Sequence, residues 1–242
     1  MRLEPENFAL ETTSVWSFPE RGDWATHDAK YRGNWSPYIP RNLLLRYSSE
    51  GDLVLDQFAG GGTTLVEAKL LRRNIIGVDI NPAALSRCRE KTTFDCPDGG
   101  KVYLKTGDAR KLDFIPNESI DFICTHPPYA NIISYSDGLE GDLSMFTANE
   151  FLTHMQPVAS ECFRVLKRSK YCALLMGDTR REGMVIPLGF AVMKLFEQAG
   201  FSVKEIIIKE QHHCKSTPMW QSNAAKRNFL LLAHEYLFVF RK

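Results

Sequence analysis

Three acids, a run of glycines and a proline-proline-tyrosine turn are the residues whose types and spacing can do chemistry. The glycines stand in Val54-Leu55-Asp56-Gln57-Phe58-Ala59-Gly60-Gly61-Gly62-Thr63-Thr64-Leu65-Val66-Glu67-Ala68, which reads as a buried strand, a tight turn and the start of a helix. Glycine lets the backbone pass close to a ligand, and the helix N-terminus beyond it is electropositive. Asp79 lies 19 residues beyond Gly60, at the tip of the apolar run Ile75-Ile76-Gly77-Val78-Asp79. A carboxylate there suits a ribose diol. Asp56 precedes the turn, and Asp108 in Thr106-Gly107-Asp108-Ala109 follows a third strand.

Three nucleotide ligands compete for such a turn. A P-loop is excluded, because no Lys-Ser/Thr follows the glycines. A dinucleotide site wants a further glycine where Leu65 stands, which weakens NAD or FAD without excluding them. S-adenosylmethionine has a ribose for Asp79, a cationic amino-acid end for Asp56 and an adenine amino group for Asp108, with no pyrophosphate for the helix end. Acids on three successive strand tips fit it best, although each could do no more than cap a turn.

After the fourth strand comes Cys124-Thr125-His126-Pro127-Pro128-Tyr129-Ala130. Two prolines freeze an extended turn just outside a strand's carboxyl end, where open α/β sheets hold their ligands. The Pro127 carbonyl and the His126 side chain can accept the hydrogens of an exocyclic NH2, aiming its lone pair at a methyl donor, while Tyr129 stacks on an extruded base. His126 accepts only when neutral, so activity is expected to fall below about pH 6.5, the unperturbed histidine value. Cys124 is read as structural, since an exocyclic amine needs no thiol nucleophile to activate the ring.

Together these segments resemble the S-adenosylmethionine-dependent DNA amino-methyltransferases, which modify N4 of cytosine or N6 of adenine. Asp56 to Thr64 is similar to the family's cofactor motif Asp-x-Phe-x-Gly-x-Gly-Thr-Thr, and Gly77-Val78-Asp79-Ile80-Asn81 to its ribose-binding strand end. Asn34-Trp35-Ser36-Pro37 resembles the segment that closes over the methionine end, and His234 to Lys242 the last strand. The resemblance implies cofactor contacts from Asn34 and Trp35, from Asp56, Phe58, Gly60, Gly62, Thr63 and Thr64, and from Asp79, Ile80, Asp108 and Ala109. It implies a catalytic set of His126, Pro127, Pro128 and Tyr129. The family tetrapeptide starts with Ser, Asp or Asn where this chain has His126. Thr125 matches the Thr-Ser-Pro-Pro-Tyr form of cytosine enzymes, so cytosine N4 is favoured over adenine N6.

Nucleic-acid contacts are expected from Tyr135, from Asp178 and Arg180 after the fifth strand, and from Lys215 and Trp220, which can track a backbone and stack on a base. DNA is favoured over RNA as the substrate. No separate recognition domain is left over, so specificity is expected from residues 1–33, 130–149 or 209–228, or from a partner, and the assembly expected is a homodimer or a complex with a separate specificity partner. An RNA base amino-methyltransferase and a non-catalytic nucleic-acid-binding subunit are the rival readings.

These groups need a scaffold, and the patterning supplies one. Strands are predicted at 53–57, 75–79, 101–105, 120–125, 171–176, 203–208 and 229–240, with helices at 38–47, 64–72, 82–91, 150–167 and 187–199. Alternation of short β-branched runs with helical spacing implies an α/β, doubly wound, mostly parallel seven-stranded sheet. The last two strands, joined by a stretch read as non-helical, are expected to pair antiparallel at the edge. Pro157 is expected to kink or break its helix. Residues 1–50 read as an extension closing over the cofactor, and 51–242 as the methyltransferase domain.

The 242 residues are 44% hydrophobic and 24% charged, enough for a full core and outside the disordered class. No apolar run reaches the roughly 18 residues of a membrane span, so a cytoplasmic protein with no membrane partner is expected. Thirty basic against 29 acidic residues give a net charge of +1, so a polyanion must be held by local patches. Local excesses occur at 21–46 and 201–242. Six cysteines without a Cys-x-x-Cys pair read as reduced and buried. No metal site is expected, because the consecutive His212-His213-Cys214 rarely point at one ion.

Overall fold

The computed structural model describes residues 1–31, 33–130, 138–213 and 217–242. In chain order the elements are β1 (Val15–Trp16), α1 (Tyr38–Tyr47), β2 (Leu53–Asp56), α2 (Thr63–Leu70), β3 (Asn74–Asp79), α3 (Pro82–Thr92), β4 (Val102–Thr106) and β5 (Ile120–Thr125). A 3-10 turn (Leu143–Met145), α4 (Ala148–Val165), β6 (Leu166–Met176), β7 (Thr179–Arg181), β8 (Met184–Ile186), α5 (Leu188–Gln198), β9 (Ser202–Glu210), α6 (Thr217–Lys226) and β10 (His234–Arg241) follow.

One sheet runs in the order β1-β9-β10-β6-β5-β2-β3-β4. The seven predicted strands all lie in it, and the two-residue β1 adds an eighth by pairing parallel with β9. β10 runs antiparallel to both β9 and β6, so it lies between two strands rather than at the edge. The crossover from β6 through α5 to β9 leaves one strand's width, and a chain returning without a crossover can only fill it antiparallel. From β2, the chain winds one way to β3 and β4, while β5 and β6 pair on the other side. That reversal opens a crevice above the carboxyl ends of β2 and β5.

The strands are apolar on both faces because both faces are covered. Val54, Phe122, Cys124, Ala173 and Leu175 join α1, α2 and α3 in one core. Their chain neighbours Leu55, Ile123, Cys172 and Leu174 join α4 and α5 in the other. α3 starts as its sequence predicts, with Asn81 Oδ1 accepting the Ala83 N–H at 2.9 Å and Pro82 in the first turn. α4 runs unbroken through Pro157, held by a capping box of Thr147 and Glu150 and by the buried stripe Phe151, Met155, Val158, Cys162 and Val165. Gly200 takes φ +112° after α5, a conformation that favours glycine.

Two features depart from expectation. The connection between β9 and β10 contains α6, whose Met219 and Trp220 are exposed; a surface helix without an apolar stripe leaves no 3.6-residue signal. The hairpin of β7 and β8 follows β6 where no strand was predicted. Among the described residues, no helix is long and apolar enough to cross a membrane.

Candidate active site

The strand tips converge as β2, β3 and β5 end together. Asp56 closes β2 and is 2% exposed. Its Oδ1 accepts from Thr125 Oγ1 at 2.9 Å and from the Phe58 N–H at 3.1 Å. Burial pushes this carboxyl up to about 6 against those hydrogen bonds and that of Thr64. Asp79 at the end of β3 uses Oδ2 to accept the Gly60 N–H at 2.8 Å and Oδ1 to accept the Asn81 N–H at 2.9 Å. It therefore clamps the glycine turn to the neighbouring strand, and burial raises its carboxyl too. Gly60 and Gly62 take φ +46° and +80°, and Gly62 caps α2 against Cys88.

Tyr31 and Asn34 lie across this turn. A Cβ at Gly61 would stand 2.7 Å from the Asn34 amide, and one at Gly60 3.3 Å from the Tyr31 ring. The extension is pinned there by Arg21, whose guanidinium donates to the Asn34 and Trp35 carbonyls at 2.8 Å each. Beneath it, the buried Glu67 of α2 accepts from Trp24 Nε1 at 2.7 Å and from Arg41 Nη1 at 3.0 Å, and lies 2.7 Å from His27 Nε2. Arg21 and Arg41, two of the basic residues of 21–46, are thus spent on holding the extension down.

A cleft results at these strand tips, with apolar and polar groups converging on it. It is lined by eleven of the twelve residues expected to touch a cofactor; Gly62 stands behind the turn instead. Its walls also include Tyr31, Gly33, Gln57, Asn81 and the Gly141–Leu143 stretch, which no motif marked. Asp108 is shared: its Oδ1 and Oδ2 each lie 3.0 Å from Arg110 Nε. Burial would raise the Asp108 carboxyl, and Arg110 overrides this to hold it below the usual range.

His126 and Pro128 enter the cleft from the end of β5. The imidazole lies 5.4 Å from Trp35, tilted 26°, and 5.4 Å from Tyr129 edge-on. Burial pushes its pKa down to about 4, outweighing the opposing pull of Glu235. The fall in activity below pH 6.5 inferred from sequence is therefore corrected: His126 stays neutral well below that pH. Cys124 is fully buried and its thiol is raised well up by that burial.

The residues expected to touch nucleic acid are less concentrated. Asp178 Oδ1 accepts the Gly189 N–H at 2.9 Å, fixing the start of α5. Arg180 donates to the Gly183 and Leu230 carbonyls at 2.6 and 3.0 Å and covers Phe229, stitching the hairpin to the segment before β10. Trp220 is 40% exposed and meets Phe229 edge-on. Tyr135 and Lys215 lie outside the described residues.

Fold and cleft define a class, the Rossmann-like S-adenosylmethionine-dependent methyltransferases. A methyltransferase of this kind from Methanosarcina mazei superposes with a TM-score of 0.60 at 16% identity, covering 83% of this chain and 96% of that one. TrmN from Thermus thermophilus does so at 0.57 and 21% identity, covering 87% of this chain and 50% of that one. The sequence profile of the N6/N4 DNA methylase family matches residues 3–90 and 120–242, and the chain belongs to that family.

Curated relatives match locally. Type II methyltransferase M.MjaII of Methanocaldococcus jannaschii is 40% identical over 52 residues, 22% of this chain and 10% of its own. The tRNA (guanine(10)-N2)-dimethyltransferase of Methanothermobacter thermautotrophicus is 32% identical over 123 residues, 50% of this chain and 34% of its own. The matches therefore span a tenth to about a third of these relatives' lengths. S-adenosylmethionine is the family's cofactor, and the cleft fits it: the buried Asn34 Nδ2 beside the glycine turn has no hydrogen-bond partner among the described residues.

Proposed function

We propose that this protein methylates the exocyclic amino group of a nucleobase in DNA, with cytosine N4 favoured over adenine N6. The observation that carries it is the placement of His126 and Pro128 in the same cleft as Asp56, Asp79 and Asp108. Asp79 is suited to the ribose hydroxyls, Asp108 to the adenine amino group, and Asp56 with Asn34 and Trp35 to the amino-acid end. When bound, S-adenosylmethionine supplies an electrophilic methyl group.

The chain's own residues then do the rest. The Pro127 carbonyl and the His126 ring accept the two amino hydrogens and localise the nitrogen lone pair. The rigid Pro127-Pro128 turn holds that amine in line, so transfer is a direct displacement without a covalent enzyme intermediate. Tyr129 flanks the base, and the extension from Tyr31 to Trp35 excludes water. Residues 178–186 and 217–230 carry the nucleic acid, with Trp220 as the exposed ring and Arg180 as the brace that holds the hairpin. Tyr135 and Lys215 are assigned nucleic-acid contacts from the sequence alone.

The longest match among the relatives described, to a tRNA guanine-N2 enzyme, supports a second reading in which a structured RNA presents the amine. Purified protein incubated with methyl-labelled cofactor and either mixed-sequence duplex DNA or total RNA separates the two. Label in N4-methylcytosine from DNA is expected. Label in N6-methyladenine changes the base, label only in RNA moves the substrate to the second reading, and none in either overturns both.

A further inference from the structure

Behind His126 lies a chain of polar groups, the Tyr129 hydroxyl, Glu235 and Lys209, whose hydrogen bonds the methyl-transfer scheme does not use. Lys209 Nζ stands 2.9 Å from Glu235 Oε2, and the two residues are paired across β9 and β10. Glu235 Oε1 accepts from the Tyr129 hydroxyl at 2.6 Å, and that hydroxyl lies 3.0 Å from His126 Nε2. Glu235 is 7% exposed. Gly177, just after β6, leaves room for this chain: a Cβ there would stand 2.9 Å from the Tyr129 ring.

Counting protons fixes the direction of every bond. Burial alone would raise the Glu235 carboxyl, but Lys209, helped by the Tyr129 hydroxyl, holds it below the usual range, so both oxygens only accept. Tyr129 has one hydroxyl proton and gives it to Oε1. Its oxygen can then only accept from Nε2, which must carry the imidazole proton. A neutral imidazole protonated at Nε2 has a bare lone pair at Nδ1, and no hydrogen bond among the described residues engages that nitrogen.

We infer that Lys209 and Glu235 are positioning residues which, through Tyr129, lock His126 as its Nε2–H tautomer and leave Nδ1 as the acceptor for a substrate amino hydrogen. The other tautomer would present an N–H to an N–H. In the serine and aspartate forms of the tetrapeptide the first side chain brings its own acceptor oxygen. Histidine is an acceptor only if something fixes its tautomer, and this chain of bonds does so. The substrate half of the inference rests on the base-amine reading; the tautomer half does not.

The test reads the nitrogens directly. In histidine-15N-labelled protein without ligands at pH 7, with His126 assigned from a His126→Asn variant, long-range proton–nitrogen correlation is expected to show Nε2 protonated and Nδ1 bare. The reverse pattern, or averaging between the two, overturns the proposal. In Glu235→Gln, an amide that donates to Tyr129 releases the tyrosine proton to Nε2, so the pattern is expected to invert. Its kcat should fall by about 10- to 100-fold while cofactor Kd and nucleic-acid KM stay within about twofold. Glu235→Asp should restore most of the turnover and the native pattern. Loss of turnover in Glu235→Gln with the wild-type pattern retained would make Glu235 merely structural and sink the inference. The wild-type spectrum needs neither the Glu235 variants nor activity, so it stands if Glu235→Gln fails to fold. Absence of methylation on DNA and RNA with the expected tautomer would overturn the base-amine reading and leave the tautomer lock intact.

Discussion

Asp56 and His126 both sit in the cleft, and burial moves their proton affinities in opposite directions, because it disfavours an anion in one and a cation in the other. For Asp56, raised to about 6, the charged form that would hold the cofactor's cationic end is lost as pH falls through 6. Each unit below that value reduces the ionised fraction about tenfold. Cofactor Kd, measured by calorimetry, is expected to be flat from pH 7 to 8 and to rise about tenfold by pH 5, and Asp56→Asn should abolish that dependence. A Kd unchanged between pH 7 and 5 would remove Asp56 from that role. For His126, lowered to about 4, the neutral acceptor form persists throughout, so kcat at saturating cofactor should carry no histidine limb between pH 5.5 and 8. A fall centred near 6.5 would mean the ring is solvated during turnover. The residue types were legible in the sequence, but these values were not, since they depend on what surrounds each group in space.

At the scale of elements, motifs with local physical causes were readable. Glycines before a helix, Asn81-Pro82 at a helix start and the stripe on α4 act within a few residues of themselves, and each element formed where it was expected. What escaped was held by distant partners. The β7–β8 hairpin closes on Arg180 and Leu230, 50 residues apart, and α6 presents no apolar stripe. Glu67 is another case: as one acid in the apolar helix Thr63–Leu70, it gave no sign of its ties to Trp24, His27 and Arg41. That cluster joins the extension to the helix behind the glycine turn. Removing one partner of a buried pair strands the other, at a cost of about 3–5 kcal/mol. Glu67→Gln, nearly the same shape, is therefore expected to lower the unfolding free energy by that amount, read as a lower urea midpoint with the slope unchanged. A loss under about 1 kcal/mol would show that the clasp contributes little.

The molecule as a whole places its cleft where three parts of the chain meet: the extension at Tyr31, Asn34 and Trp35, the tips of β2, β3, β4 and β5, and the Gly141–Leu143 stretch. A ligand bound there bridges segments more than a hundred residues apart, so its binding energy adds to the cooperative stability of the fold rather than to one loop. At a free concentration of 100 times Kd the added stability is about 2.7 kcal/mol. For a chain of this size that is about 5–10 °C in Tm. S-adenosylmethionine is expected to raise Tm by this amount and to slow proteolysis within residues 1–37, whereas NAD should do neither. Trp35 provides the internal control, because its ring stacks on His126 as well as walling the cleft. If Trp35→Ala weakens cofactor binding about tenfold, the ligand-induced stabilisation at the same concentration falls by about 1.4 kcal/mol, and the Tm increment shrinks by about 3–5 °C. An increment identical in wild type and Trp35→Ala would mean that the extension covers the cleft without gripping what it holds, and the closing role would then pass to the Gly141–Leu143 stretch, which also lines it.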